Sequence, residues 1–121
     1  MNTENNTLIA EFMGGIVVNE SEIYFDVALF RYTLYTKNIP FDELLYDTDW
    51  NWLMEVVEKI ENISFNKSDI FFNVTIGSGL YCTIQDSNFD GLLEINTSEE
   101  TRIKTVYKAV VEFIKWHNEN K

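Results

Sequence analysis

Two side chains in this sequence have the reactivity for proton or group transfer near neutral pH, His117 and Cys82, and each type occurs once. One imidazole cannot join a second to hold a metal, and a Ser–His–Asp arrangement would have to use His117 in the last turn of a C-terminal helix as its base. Its place on the margin of an apolar helical stripe reads as packing. Cys82 sits in Leu80-Tyr81-Cys82-Thr83-Ile84, where alternation makes it a small buried hydrophobe. A lone cysteine also leaves neither an internal disulfide nor a cysteine-based zinc cage.

Oxygen ligands are plentiful. Asp86-Ser87-Asn88-Phe89-Asp90-Gly91 opens like a calcium loop, with oxygens at alternate positions and a glycine sixth. The twelfth position is Thr97 where a bidentate glutamate is needed, and the flanks read as strand, so the segment reads as a turn. Gly77-Ser78-Gly79 lacks the lysine and the following helix of a phosphate loop, and Gly14-Gly15 closes a helix instead of opening one. No catalytic residue, metal or cofactor is expected, and the chain is read as non-enzymatic.

What the carboxylates can do together is set a field. Twenty Asp and Glu oppose nine Lys and Arg, a formal charge of -11. The excess is segregated: residues 98 to 121 hold four acids and five bases, leaving 16 acids and four bases in residues 1 to 97. Such a field repels phosphate backbones, so direct nucleic-acid binding is not expected, and it speeds encounter with basic protein surfaces. Its densest stretch brackets an aromatic cluster. Asp42, Glu43, Asp47 and Asp49 surround Tyr46 and Trp50, and Glu55, Glu58 and Glu61 follow at three-residue steps. These nine residues are the candidate partner-binding set, with the aromatic rings as anchors and the carboxylates supplying selectivity.

The elements that must position them are legible from periodicity. A helix over about 98 to 118 has Thr97 and Glu100 at capping-box spacing and a stripe of Ile103, Val106, Val110, Phe113 and Ile114, with Tyr107 and His117 beside it. A second helix starts at Thr48 or Asp49 and runs to about Asn62, with Trp50, Leu53, Val57 and Ile60 on one side and Trp52 and Val56 on the next. Pro40 and the acidic run after it are expected as loop and cap. Trp50 and Trp52, two residues apart, must face different ways. A short first helix spans about Glu4 to Met13 and is stopped by a left-handed cap at Gly14-Gly15.

Strand-like segments cover Ile16–Val18, Ile23–Val27, Tyr32–Thr36, Ile70–Ile76, Leu80–Gln85 and Leu92–Ile95, with Gly77-Ser78-Gly79 as a three-residue hairpin turn. Loops this short favour antiparallel pairing. The expectation is a single α+β domain over residues 1–121, with one antiparallel sheet of about four to six strands packed with two longer helices and a short N-terminal one. The first residues lack a basic stretch and no long apolar run follows, so neither a signal peptide nor a membrane span is expected, and a cytoplasmic location is.

Three stretches carry a family resemblance: Leu8-Ile9-Ala10-Glu11-Phe12-Met13-Gly14, the run Leu45 to Glu61 around Trp50-Asn51-Trp52, and the run Val106 to Asn118. In order and spacing they resemble small proteins of Bacteroidetes phages and mobile elements, similar to the phage ABA-sandwich domain. The segments Ser21–Phe41 and Phe65–Gln85 depart from that pattern. The resemblance implies a phage-derived protein acting in a bacterial cytoplasm, with no catalytic residues to carry over. It further implies an anti-CRISPR type of inhibitor, whose partner would be the basic surface of a CRISPR effector–guide RNA complex, an RNA-targeting nuclease among them. Two alternatives belong to other classes: a sponge for a defence nucleotide, and a structural or accessory protein working as a homo-oligomer.

Overall fold

The computed structural model describes residues 2–25, 38–65, 69–87 and 91–120. Three α-helices, α1 (Thr3–Phe12), α2 (Trp50–Asn62) and α3 (Arg102–Asn120), share a core with two antiparallel sheets. The first sheet has the order β1 (Ile16–Val17), β2 (Glu22–Tyr24), β3 (Asn38–Pro40), and the second β4 (Phe72–Ile76), β5 (Cys82–Asp86), β6 (Glu94–Thr97). The α+β class with a short N-terminal helix and two longer ones is what periodicity anticipates. The expected antiparallel strands number six among the described residues and are shared between two sheets of three. Pro40 shows why the first ends where it does, because a residue without an N–H fits only an edge strand, and β3 is one. The chain leaves that edge through a 3-10 turn (Phe41–Glu43) and α2 before it starts the second sheet. The expected strand at Tyr32–Thr36 lies outside the described residues.

Helix ends follow local chemistry, with one displacement. Gly14 takes φ 100° as expected; its N–H donates to the Glu11 carbonyl and that of Gly15 to the Ala10 carbonyl, closing α1 as a Schellman motif. Asp49 caps α2 by accepting the Asn51 N–H at 2.8 Å. Thr97 does not cap α3. Pairing with Cys82 holds it in β6, and its hydroxyl donates to the Thr105 carbonyl at 2.8 Å. The cap moves to Thr101, whose hydroxyl accepts the Lys104 N–H at 3.2 Å, so α3 begins four residues later than the sequence signal suggests.

The second sheet positions everything else. Its ladder runs Phe72↔Asp86, Val74↔Ile84 and Ile84↔Ile95, so Phe72, Ile84 and Ile95 face the helices while Asn73, Thr75, Thr83, Gln85, Glu94 and Asn96 face away. The hairpin at Gly77 is longer than three residues, because paired strands end at Ile76 and Cys82. Gly77 is used there for space: a Cβ would lie 2.0 Å from the Tyr81 ring that covers it.

The core is continuous. Helix α3 buries Val106, Val110, Phe113 and Ile114 of the expected stripe and Tyr107 beside it, Ile103 being half-buried, and Phe113 meets the rings of Phe12, Phe72, Trp116 and His117. One polar network crosses it. Tyr107 donates its hydroxyl to Asn6 at 2.9 Å, and the Asn6 amide donates to Asp47 at 3.0 Å and to the Leu44 carbonyl at 3.2 Å, tying α1 and α3 to the loop before α2. No helix among the described residues is long and apolar enough to cross a membrane.

Candidate functional site

The candidate residues divide by what their side chains already do. Tyr46 is fully buried, with its ring edge-on to Trp52 at 5.1 Å, so as a surface anchor it is corrected: the ring is spent on the core. Asp47 accepts the amides of Asn2 and Asn6 at 3.1 and 3.0 Å and holds α1 in place. Asp49 is the cap of α2. These three are structural, for a reason invisible in composition: a short acidic side chain beside backbone or side-chain amides is drawn to them. Asp42 and Glu43, on the 3-10 turn, stay exposed.

Trp50, Glu55, Glu58 and Glu61 stand differently. Along α2, Trp50, Met54, Glu58 and Glu61 recur at steps of four, four and three, which places them on one solvent-facing ridge. Trp50 is 38% exposed and Met54 40%, large values for apolar side chains on a helix whose other face, Leu53, Val56, Val57 and Ile60, is buried. Glu58 and Glu61 are exposed and Glu55 partly so. Glu61 also reaches the second sheet, accepting the Val74 N–H at 3.4 Å. The ridge runs about 16 Å from the indole to Glu61 at 1.5 Å per residue. Asp42 and Glu43 belong to the 3-10 turn and not to the helix that carries the ridge. Met54 was missed by sequence reasoning; its signal was the four-residue spacing on both sides.

Cations decide the sign of this surface. Of the described residues between 2 and 65, Lys59 is the one lysine or arginine, and it is half-buried. Its ammonium donates to the Phe12 carbonyl and stands 4.7 Å from the centre of the Phe12 ring. Burial there lowers its pKa, the expected response of a cation losing water. Arg31, Lys37 and Lys67 lie outside the described residues. At the start of α3, Glu100 pairs with Lys104 at 2.6 Å and Glu99 with Lys108 at 3.3 Å.

The reactive side chains are placed for packing. Cys82 is buried, and burial pushes its thiol up to about 11. His117 stacks on Phe113 at 5.9 Å and meets Phe12 edge-on. Among the described residues no three His, Cys, Asp or Glu side chains gather as metal ligands would, and Asn88, Phe89 and Asp90 of the calcium-like segment lie outside them. Asp86 instead accepts the Leu93 N–H at 3.2 Å, closing that turn. Comparison with protein-family models, curated proteins and solved structures returns no match.

Proposed function

We propose that this chain is a non-enzymatic binding protein that docks the α2 ridge, Trp50, Met54, Glu58 and Glu61 with Glu55 beside it, onto a basic and partly apolar protein surface. The observation that carries this is the exposure of Trp50 and Met54 beside Glu58 and Glu61 along one ridge of α2. Exposed ion pairs contribute only about 0.2–1 kcal/mol each, so Trp50 and Met54 supply the affinity while the carboxylates set encounter rate and partner choice. Asp42 and Glu43 add to the long-range field and not to the contact.

The resemblance to phage proteins makes the proposed partner the nucleic-acid channel of a host-defence effector, with an RNA-targeting CRISPR nuclease tested first. A ridge of carboxylates flanked by an aromatic ring imitates the charge and stacking surface of a nucleic-acid strand. Affinity purification from a CRISPR-bearing Bacteroidetes host, followed by mass spectrometry, should recover a basic effector. Recovery should fall at least tenfold with Trp50→Ala, and with Glu55, Glu58 and Glu61 all changed to Lys. Equal recovery by both variants removes the ridge from the interface.

A further inference from the structure

A cleft among α1, the end of α2 and the end of α3 gathers side chains that the ridge does not use. Its volume is about 340 Å³, and Leu8, Phe12 and Ile63 line it together with Glu11, Lys59 and His117. That size admits a small organic molecule. The Lys59 nitrogen donates to the Phe12 carbonyl and stands 4.7 Å from the centre of the Phe12 ring, which the His117 ring meets edge-on at 5.7 Å. A lysine nitrogen donates to a carbonyl whether charged or neutral, so this contact fixes the amine at the cleft without requiring the ammonium. The carboxylates around it, Glu11 of α1 and Glu55 and Glu58 of its own helix, favour the charged form, and His117 of α3 opposes it when protonated. Loss of water nevertheless lowers the Lys59 pKa. Lys104 shows the reverse in open solvent, where its hydrogen bond to Glu100 raises its pKa.

We propose that Lys59 is a carbonyl-capture site, which takes short uncharged aldehydes into this cleft and holds them as an imine. A fixed, partly desolvated lysine amine beside an apolar wall is the arrangement that makes this side chain a nucleophile. The neutral amine adds through its lone pair to the aldehyde carbon, and a proton moves from nitrogen to the former carbonyl oxygen. That hydroxyl then leaves with the second amine proton as water, and the C=N bond remains. The step needs no oxidant or reductant. Leu8, Phe12 and Ile63 suit an alkyl tail, while Glu11 and the chain's charge of -11 disfavour an anionic aldehyde. Neither Trp50 nor Met54 lines the cleft, so the capture site does not rest on the docking of the ridge.

The unmodified full chain, treated with butanal and cyanoborohydride to trap the imine, is digested and its lysines are mapped by mass spectrometry. At about pH 8, Lys59 should gain the butyl group at least about threefold faster than Lys104, Lys108 or Lys115. Its rate should also climb at lower pH than theirs. In about 8 M urea the preference should vanish, because it belongs to the folded cleft. Glyoxylate, which carries a carboxylate, should modify Lys59 no faster than Lys104. Labelling of Lys59 at or below the rate of the α3 lysines overturns the proposal and leaves the amine a packing group. A preference that survives urea also overturns it, since local sequence would then be the cause. Faster capture of glyoxylate than of butanal overturns the choice of an uncharged aldehyde.

Discussion

Helices α2 and α3 pack on the same core and use their outer faces in opposite ways. Helix α3 buries eight of its 19 residues, and two of its lysines are taken up by Glu99 and Glu100 just before it, so its surface is locally closed. Helix α2 buries four of its 13 and leaves Trp50 and Met54 partly exposed beside carboxylates, while its lysine donates to the Phe12 carbonyl. Similar amphipathic patterns therefore serve different ends. The partly exposed indole and thioether of α2 are the side chains on which the proposed docking depends.

That contrast can be broken most forcefully at Phe113. Phe113→Ala in α3 should cost about 3–5 kcal/mol of stability by urea unfolding, whereas Met54→Ala on the α2 ridge should stay within about 0.5 kcal/mol. Comparable losses would mean that Met54 belongs to the core. Next comes Cys82, buried on β5. Its folded thiol titrates higher than the unfolded one, so burial of the neutral form stabilises below the unfolded value and is lost as pH rises from 9.0 through about 11. Stability of the unmodified chain minus that of Cys82→Ala should be flat up to pH 8 and then fall by about 2 kcal/mol across that window.

A smaller effect sharpens where α3 begins. Thr101→Ala removes the cap and should cost about 1 kcal/mol, while Glu100→Ala should leave the unfolding midpoint nearly unchanged. The reverse order would restore the capping box to Thr97 and Glu100. Smallest of all, Glu58→Lys should shift stability by less than about 0.5 kcal/mol in either direction, even where it weakens partner binding, because a ridge kept for a partner contributes little to its own fold.

The candidate surface was legible in part. Trp50 with Glu55, Glu58 and Glu61 could be read from spacing, since three- and four-residue steps on a helix need no tertiary information. Tyr46 and Asp47 could not: what removes them from the surface is Trp52 and the amides of Asn2 and Asn6, and the Asn6–Asp47 bond spans 41 residues of sequence. The caps show the same division within one motif family. Gly14 behaves as its local signal says, while the equally good signal at Thr97 is overruled by pairing with Cys82.

The amino-acid order alone determined the three helices, most of the strands, the buried face of α3 and the segregation of charge, because each depends on periods of two or 3.6 residues and on side-chain type. Tertiary structure decided that the strands among the described residues divide into two sheets, that Lys59 donates to the Phe12 carbonyl, and that Glu61 accepts the Val74 N–H at the β4 edge. Those outcomes hang on contacts between residues far apart in the chain, where the competition between one hydrogen-bond partner and another is settled only once the backbone has brought both within reach.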